Sequence, residues 1–118
     1  MAATQRAIDL AKAAAAAADE KVASSVIAID VSDQLALTDV FVVAAADNER
    51  QVAAIVDGIV ERLHELGVKP IRREGQRDDR WVLLDFGDIV VHVQHEEERE
   101  FYALDRLWRD CPTIDLTA

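Results

Sequence analysis

The chain has 118 residues, 51% of them hydrophobic and 31% charged, with 13 Lys and Arg against 23 Asp and Glu for a formal net charge of −10. That length sets one globular domain as the default, and that aliphatic content excludes a disordered chain. So acidic a chain repels nucleic acid unless its basic residues cluster, and it attracts a basic partner. Its one cysteine, Cys111, excludes an internal disulfide and a cysteine-based zinc site. No segment reaches the ~20 apolar residues that span a bilayer, and the N-terminus makes a poor secretory signal, so a soluble cytoplasmic protein is expected.

Thr4 is placed to cap a first helix running to about Lys21, with Ile8, Ala11, Ala15, Ala18 and Val22 as its apolar stripe. Residues 26–31, rich in β-branched side chains, read as a strand, and the all-apolar run 40–45 reads as a second. Continuous apolar runs suit strands covered on both faces, as in α/β sheets. Asn48 then opens a capping box with Gln51 reaching back, and Val52, Ile55, Val56, Ile59, Leu63 and Leu66 follow at helical spacing. Gly67 fits the left-handed position after that helix, Pro70 prevents its resumption, and Gly58 is a mild interior blemish. Residues 68–73 predict a third strand, followed by a polar loop over 74–80. Residues 81–86 and 89–95 predict a hairpin turning at Phe86-Gly87. Residues 96–110 predict a closing helix whose acidic start suits the positive end of its dipole, with Phe101, Leu104, Leu107 and Trp108 on one face. The domain is expected over 1–112 with a short tail over 113–118.

The phosphate-binding motifs G-x-x-x-x-G-K-[ST] and G-x-G-x-x-G are absent, as is the G-x-S-x-G nucleophile elbow. Cys111, next to Pro112, reads as a structural, partly buried thiol. His92 and His95 lie three apart, which on a strand sends them to opposite faces, and His64 falls on the polar side of the second helix, so no metal site is expected. Asp30, Asp39, Asp85 and Asp88 sit at strand ends or turns. Such carboxylates can hold Mg²⁺ for phosphoryl transfer, but aspartate is also simply a good turn residue.

A turn at Phe86-Gly87 pairs Asp85 with Asp88, Leu83 with Val90 and Trp81 with His92, all on one sheet face. The other face carries Val82, Leu84, Ile89, Val91 and Val93 and is core. The first face is mixed, and a tryptophan in such a setting is typical of an interface anchor or, alternatively, lies beneath a helix of the same chain. The acidic stretch Glu96-Glu97-Glu98 with Glu100 reads as a solvated helix start, with a docking surface for basic residues as the alternative. Trp108 reads as core.

The blocks Asp30-Val31-Ser32, Thr38-Asp39-Val40-Phe41-Val42-Val43 and Asn48-Glu49-Arg50-Gln51-Val52 recur in a familiar order. So do Glu74-Gly75, Trp81-Val82-Leu83-Leu84-Asp85-Phe86-Gly87-Asp88-Ile89-Val90-Val91-His92 and Arg99-Glu100-Phe101-Tyr102-Ala103-Leu104-Asp105-Arg106-Leu107-Trp108. Over residues 4–110 the chain resembles the ribosomal silencing factor, or iojap-related, family. The resemblance implies an α/β domain with a mixed sheet of about five strands flanked by helices, similar to nucleotidyltransferases but without their active site. It implies no enzymatic activity and no cofactor. It implies binding to ribosomal protein L fourteen on the large ribosomal subunit, a steric block to joining of the small subunit, and a homodimer when free. Carried onto this sequence, the partner-binding residue is Trp81, accompanied by Leu83, Asp85, Asp88 and His92. The rival reading is a divergent nucleotidyltransferase-like enzyme using Asp30, Asp39 or Asp85 with Mg²⁺. One departure from the family stands at Ala44-Ala45-Ala46-Asp47, where small polar residues are usual. Alanine removes the hydroxyl and Asp47 adds repulsion, which disfavours nucleotide binding at this loop.

Overall fold

The structure, a computed structural model, describes residues 3–75, 80–97 and 108–116. Helix α1 spans Gln5–Glu20, and Thr4 caps it by accepting the Ala7 N–H on Oγ1 at 3.1 Å. Strand β1 is Ser25–Asp30 and β2 is Val40–Ala46. Helix α2 is Glu49–Glu65, β3 is Arg72–Glu74, β4 is Trp81–Asp85 and β5 is Ile89–His95. The five strands form one sheet in the order β1-β2-β5-β4-β3, with β2 and β5 parallel and every other pair antiparallel. The near-continuous apolar runs of β2 and β5 thus occupy the middle, where burial from both faces suits them.

Both helices pack on one face of the sheet. Val52, Ile55, Val56, Ile59 and Leu63 of α2 and Ala7, Leu10, Ala11, Ala14 and Ala18 of α1 join Val42, Ala44, Val82, Leu84, Val91 and Val93 in a single core. The buried face of α1 is wider than the expected stripe: Ala11, Ala15 and Ala18 are buried as expected and Ala7, Leu10, Ala14 and Ala17 join them, whereas Ile8 is half-buried and Val22 is 76% exposed. Alanine on every side leaves the helix without a preferred face, so close packing on α2 and the sheet decides it.

The termini of α2 follow capping chemistry with one change. Asn48 Oδ1 accepts the Gln51 N–H at 2.8 Å, but the Gln51 side chain donates to the Lys21 carbonyl and not back to the cap. At the other end Gly67 adopts φ +82, Gly67 N–H reaches the His64 carbonyl, and Val68 N–H reaches the Leu63 carbonyl. That closure consumes Val68, and Pro70 has no N–H to give, so β3 starts only at Arg72 and the strand expected over 68–73 is corrected.

The hairpin register is corrected too. Phe86 N–H bonds the Ile89 carbonyl, so the chain turns at Gly87-Asp88, and Gly87 supplies the positive φ of +89. Asp85 pairs with Val90, Leu83 with His92 and Trp81 with Gln94. The expected pairing of Asp85 with Asp88 is not formed. The two-residue slip changes every partner and moves Asp88 into the turn, but leaves the remaining side chains of β4 and β5 on their predicted faces. Residues 112–114, where the expected tail begins, run along the free edge of β1: Ile29 bridges Thr113, and Ile114 N–H reaches the Ala28 carbonyl. Most of the helix expected over 96–110 lies outside the described residues, and Trp108–Asp110 form a turn.

Candidate functional site

The sheet face opposite α1 and α2 carries Phe41 and Val43 on β2, Val90, His92 and Gln94 on β5, Trp81, Leu83 and Asp85 on β4, and Arg72 and Glu74 on β3. Its centre is covered, with Val43, His92 and Gln94 all buried, and Trp108 stands edge-on to Phe41 at 5.3 Å. Toward the β3 edge the cover thins. Trp81, Leu83 and Asp85 are half-buried, Arg72 and Glu74 are exposed, and an open cleft of about 370 Å³ lies between Glu74, Gly75, Trp81 and Leu83. The indole is therefore not sealed beneath α1 or α2.

The five residues singled out from the sequence divide. Trp81, Leu83 and Asp85 share the half-open edge. Asp85 Oδ1 also accepts the Gly87 N–H at 2.9 Å, which braces the turn. Asp88 stands in the turn itself and bonds Arg6 Nε at 3.1 Å, away from the strand face. His92 is buried, and its Nδ1 accepts the Trp81 indole N–H at 3.2 Å. Burial pushes the His92 pKa down to about 4, so the ring is neutral and its proton resides on Nε2. Among the described residues, His92 Nε2 and both side-chain amide atoms of Gln94 are buried without a hydrogen-bond partner.

Gly75 escaped residue-by-residue reading although the Glu74-Gly75 pair was visible. It adopts φ +79, and a Cβ there would overlap the Trp81 carbonyl oxygen. A glycine directly after a charged edge strand was the available signal. Phe41 was read only as part of a strand, yet it stands edge-on to the imidazole of His92 at 5.1 Å and 70°.

The sheet-end aspartates have structural work. Asp30 Oδ2 accepts the Ala3 N–H at 3.0 Å and Asp39 Oδ2 accepts the Thr4 N–H at 2.9 Å. With Asp88 on Arg6, three acidic residues hold the positive end of α1. Burial alone would raise the Asp30 carboxyl, but hydrogen bonds from Ser32 and the Ala3 N–H outweigh it and hold the pKa below the ordinary value. These bonds are the turn and capping chemistry of aspartate. Among the described residues no three His, Cys, Asp or Glu side chains gather as a metal site. His92 and His95 fall on opposite faces of β5, and His64 is exposed on α2. Cys111 is half-buried. Arg80 joins Glu49 at 2.8 Å and Glu97 at 2.9 Å, so part of the acidic stretch at 96–98 is paired within the chain.

Comparison with known proteins agrees with this architecture. Residues 4–118 match the family described as ribosomal silencing factor during starvation. The chain is 41% identical over 105 residues to ribosomal silencing factor RsfS of Bacillus subtilis, covering 89% of each. It is 39% identical over 108 residues to the protein of that name in Halalkalibacterium halodurans, covering 92% of each. A crystal structure of a Chromobacterium violaceum protein superposes with a TM-score of 0.81 at 34% identity, covering 85% of this chain and 83% of that one. The relatives are named as silencing factors, which are regulators and not enzymes. From its fourth residue onward, in sequence and in sheet architecture alike, the chain belongs to the ribosomal silencing factor family.

Proposed function

We propose that this protein is a cytoplasmic translational repressor that docks on ribosomal protein L fourteen of the large ribosomal subunit and blocks joining of the small subunit by occupying the space between them. The observation that carries this reading is the half-buried Trp81 on a sheet edge that neither α1 nor α2 covers. Trp81 supplies area to be desolvated, Leu83 extends it, and Asp85 with Glu74 meets Arg or Lys on a basic ribosomal protein. Asp88 belongs to the rim, where charge acts mainly on association rate and salt dependence. His92 is buried and acts from behind the surface. The net charge of −10 favours encounter with a basic protein and disfavours direct contact with RNA. When free, the protein forms a homodimer.

The test is retention of purified L fourteen on the immobilised protein, followed by subunit joining on sucrose gradients. Wild-type protein in stoichiometric excess should deplete joined ribosomes, and an unchanged gradient defeats the proposal. Trp81→Ala should lose about 2 kcal/mol or more of binding free energy while its far-ultraviolet circular dichroism stays that of the parent.

A further inference from the structure

His92 occupies the middle of the sheet between Val43 on β2 and Leu83 on β4 and is only 6% exposed. It cannot itself touch a partner. An aliphatic side chain would fill the same place with no polar atom to satisfy, whereas the imidazole leaves Nε2 without a hydrogen-bond partner among the described residues. As packing alone, histidine is a poor choice here. Its other nitrogen has a use, because Nδ1 accepts the indole N–H of Trp81 at 3.2 Å. The two rings lie 6.1 Å apart at 50°, and Phe41 stands edge-on behind the imidazole at 5.1 Å. The chain Phe41, His92, Trp81 thus crosses this face from the half-buried Phe41 on β2 through the buried imidazole on β5 to the half-open edge, and its last member lines the cleft with Glu74, Gly75 and Leu83.

We propose that His92, buttressed by Phe41, is a positioning residue for docking: it fixes the rotamer of the Trp81 indole so that the anchor is ordered before the partner arrives. The inference rests on the docking reading given above. An anchor ordered in the free protein loses less side-chain entropy on binding, so its affinity gain comes from preorganisation and not from added contact. Isosteric loss of the acceptor should therefore weaken docking without weakening the fold.

The experiment compares four single variants at positions 92 and 81, and one double variant, for binding to purified large subunits. His92→Leu removes the acceptor and should weaken binding about fivefold to tenfold, the worth of one hydrogen bond, while melting at or above the parent temperature. His92→Asn returns an acceptor oxygen near the place of Nδ1 and should restore binding to within about twofold of the parent. Trp81→Phe removes the N–H, and in that background His92→Leu should have no further effect on binding. A readout independent of any partner uses the Trp108→Phe background, which leaves Trp81 as the one tryptophan of two. There His92→Leu should shift the emission spectrum and His92→Asn should return it. If His92→Leu binds like the parent while Trp81→Ala does not, His92 has no positioning role and the docking surface stands. If Trp81→Ala also binds like the parent, the docking surface falls and the role of His92 on it falls too.

Discussion

Gly75 and the carbonyl oxygen of Trp81 lie so close that no side chain at position 75 can share the space. The glycine also holds φ +79, where an L-residue is strained. Gly75→Ala should therefore cost about 2 kcal/mol or more, the left-handed penalty plus the displacement of β4 at the docking edge. Gly67 is the control, because it shares the positive φ but faces open space. Gly67→Ala should cost only the backbone penalty, about 1–2 kcal/mol. Urea midpoints measure both, and equal losses would show that the contact with Trp81 has no weight.

Val22 presents the opposite case. It ends α1 at φ +61 with its N–H on the Asp19 carbonyl, a position that glycine usually fills, and its side chain is 76% exposed. Val22→Gly relieves the strain and loses little burial, against the greater entropy glycine loses on folding. A net stabilisation of roughly 0.5–1 kcal/mol is expected, read as a higher urea midpoint at constant slope.

Gly58 lies inside α2, and a Cβ there would come within 3.0 Å of the Lys21 Cγ. The neighbour is a flexible side chain, so it can move aside at little cost. Gly58→Ala should gain up to ~1 kcal/mol of helix propensity. A loss of stability would mean that Lys21 is held more firmly than its chemistry suggests.

Acid should destabilise the fold through His92. In the unfolded chain the imidazole takes a proton near its ordinary value of 6.5, whereas burial delays this to about 4 in the folded state. Between those values the unfolded state binds more protons, so stability is complete above about pH 6.5 and falls as pH drops toward 4. The loss approaches about 3 kcal/mol. Asp30, held below its ordinary 3.8, adds a further loss only at still lower pH. Urea unfolding at pH 7 and pH 4.5 should show the fall in wild type and a flatter response in His92→Leu. Parallel responses would remove His92 as its source.

The face assignment of β4 and β5 was legible because alternation is a property of the strand itself. Val82, Leu84, Val91 and Val93 had to share one side whatever the pairing. The hairpin register was not legible, since Phe86-Gly87 and Gly87-Asp88 both offer a glycine to the turn and a slip that preserves faces leaves the hydrophobic pattern unchanged. The third strand was overread because Val68 is apolar for a different reason, closing the end of α2 over Leu63.

The order of the described elements, the caps at Thr4, Asn48 and Gly67, the core side of β4 and β5 and the family were determined by sequence alone, because each depends on residues close together in the chain or on their order along it. Which way the alanine-rich α1 turns, which aspartates hold its N-terminus, and that a buried histidine stands behind Trp81 were decided only by the tertiary structure. Those relationships join residues as far apart as Arg6 and Asp88, and packing and hydrogen-bond geometry across the sheet select them where no local preference can.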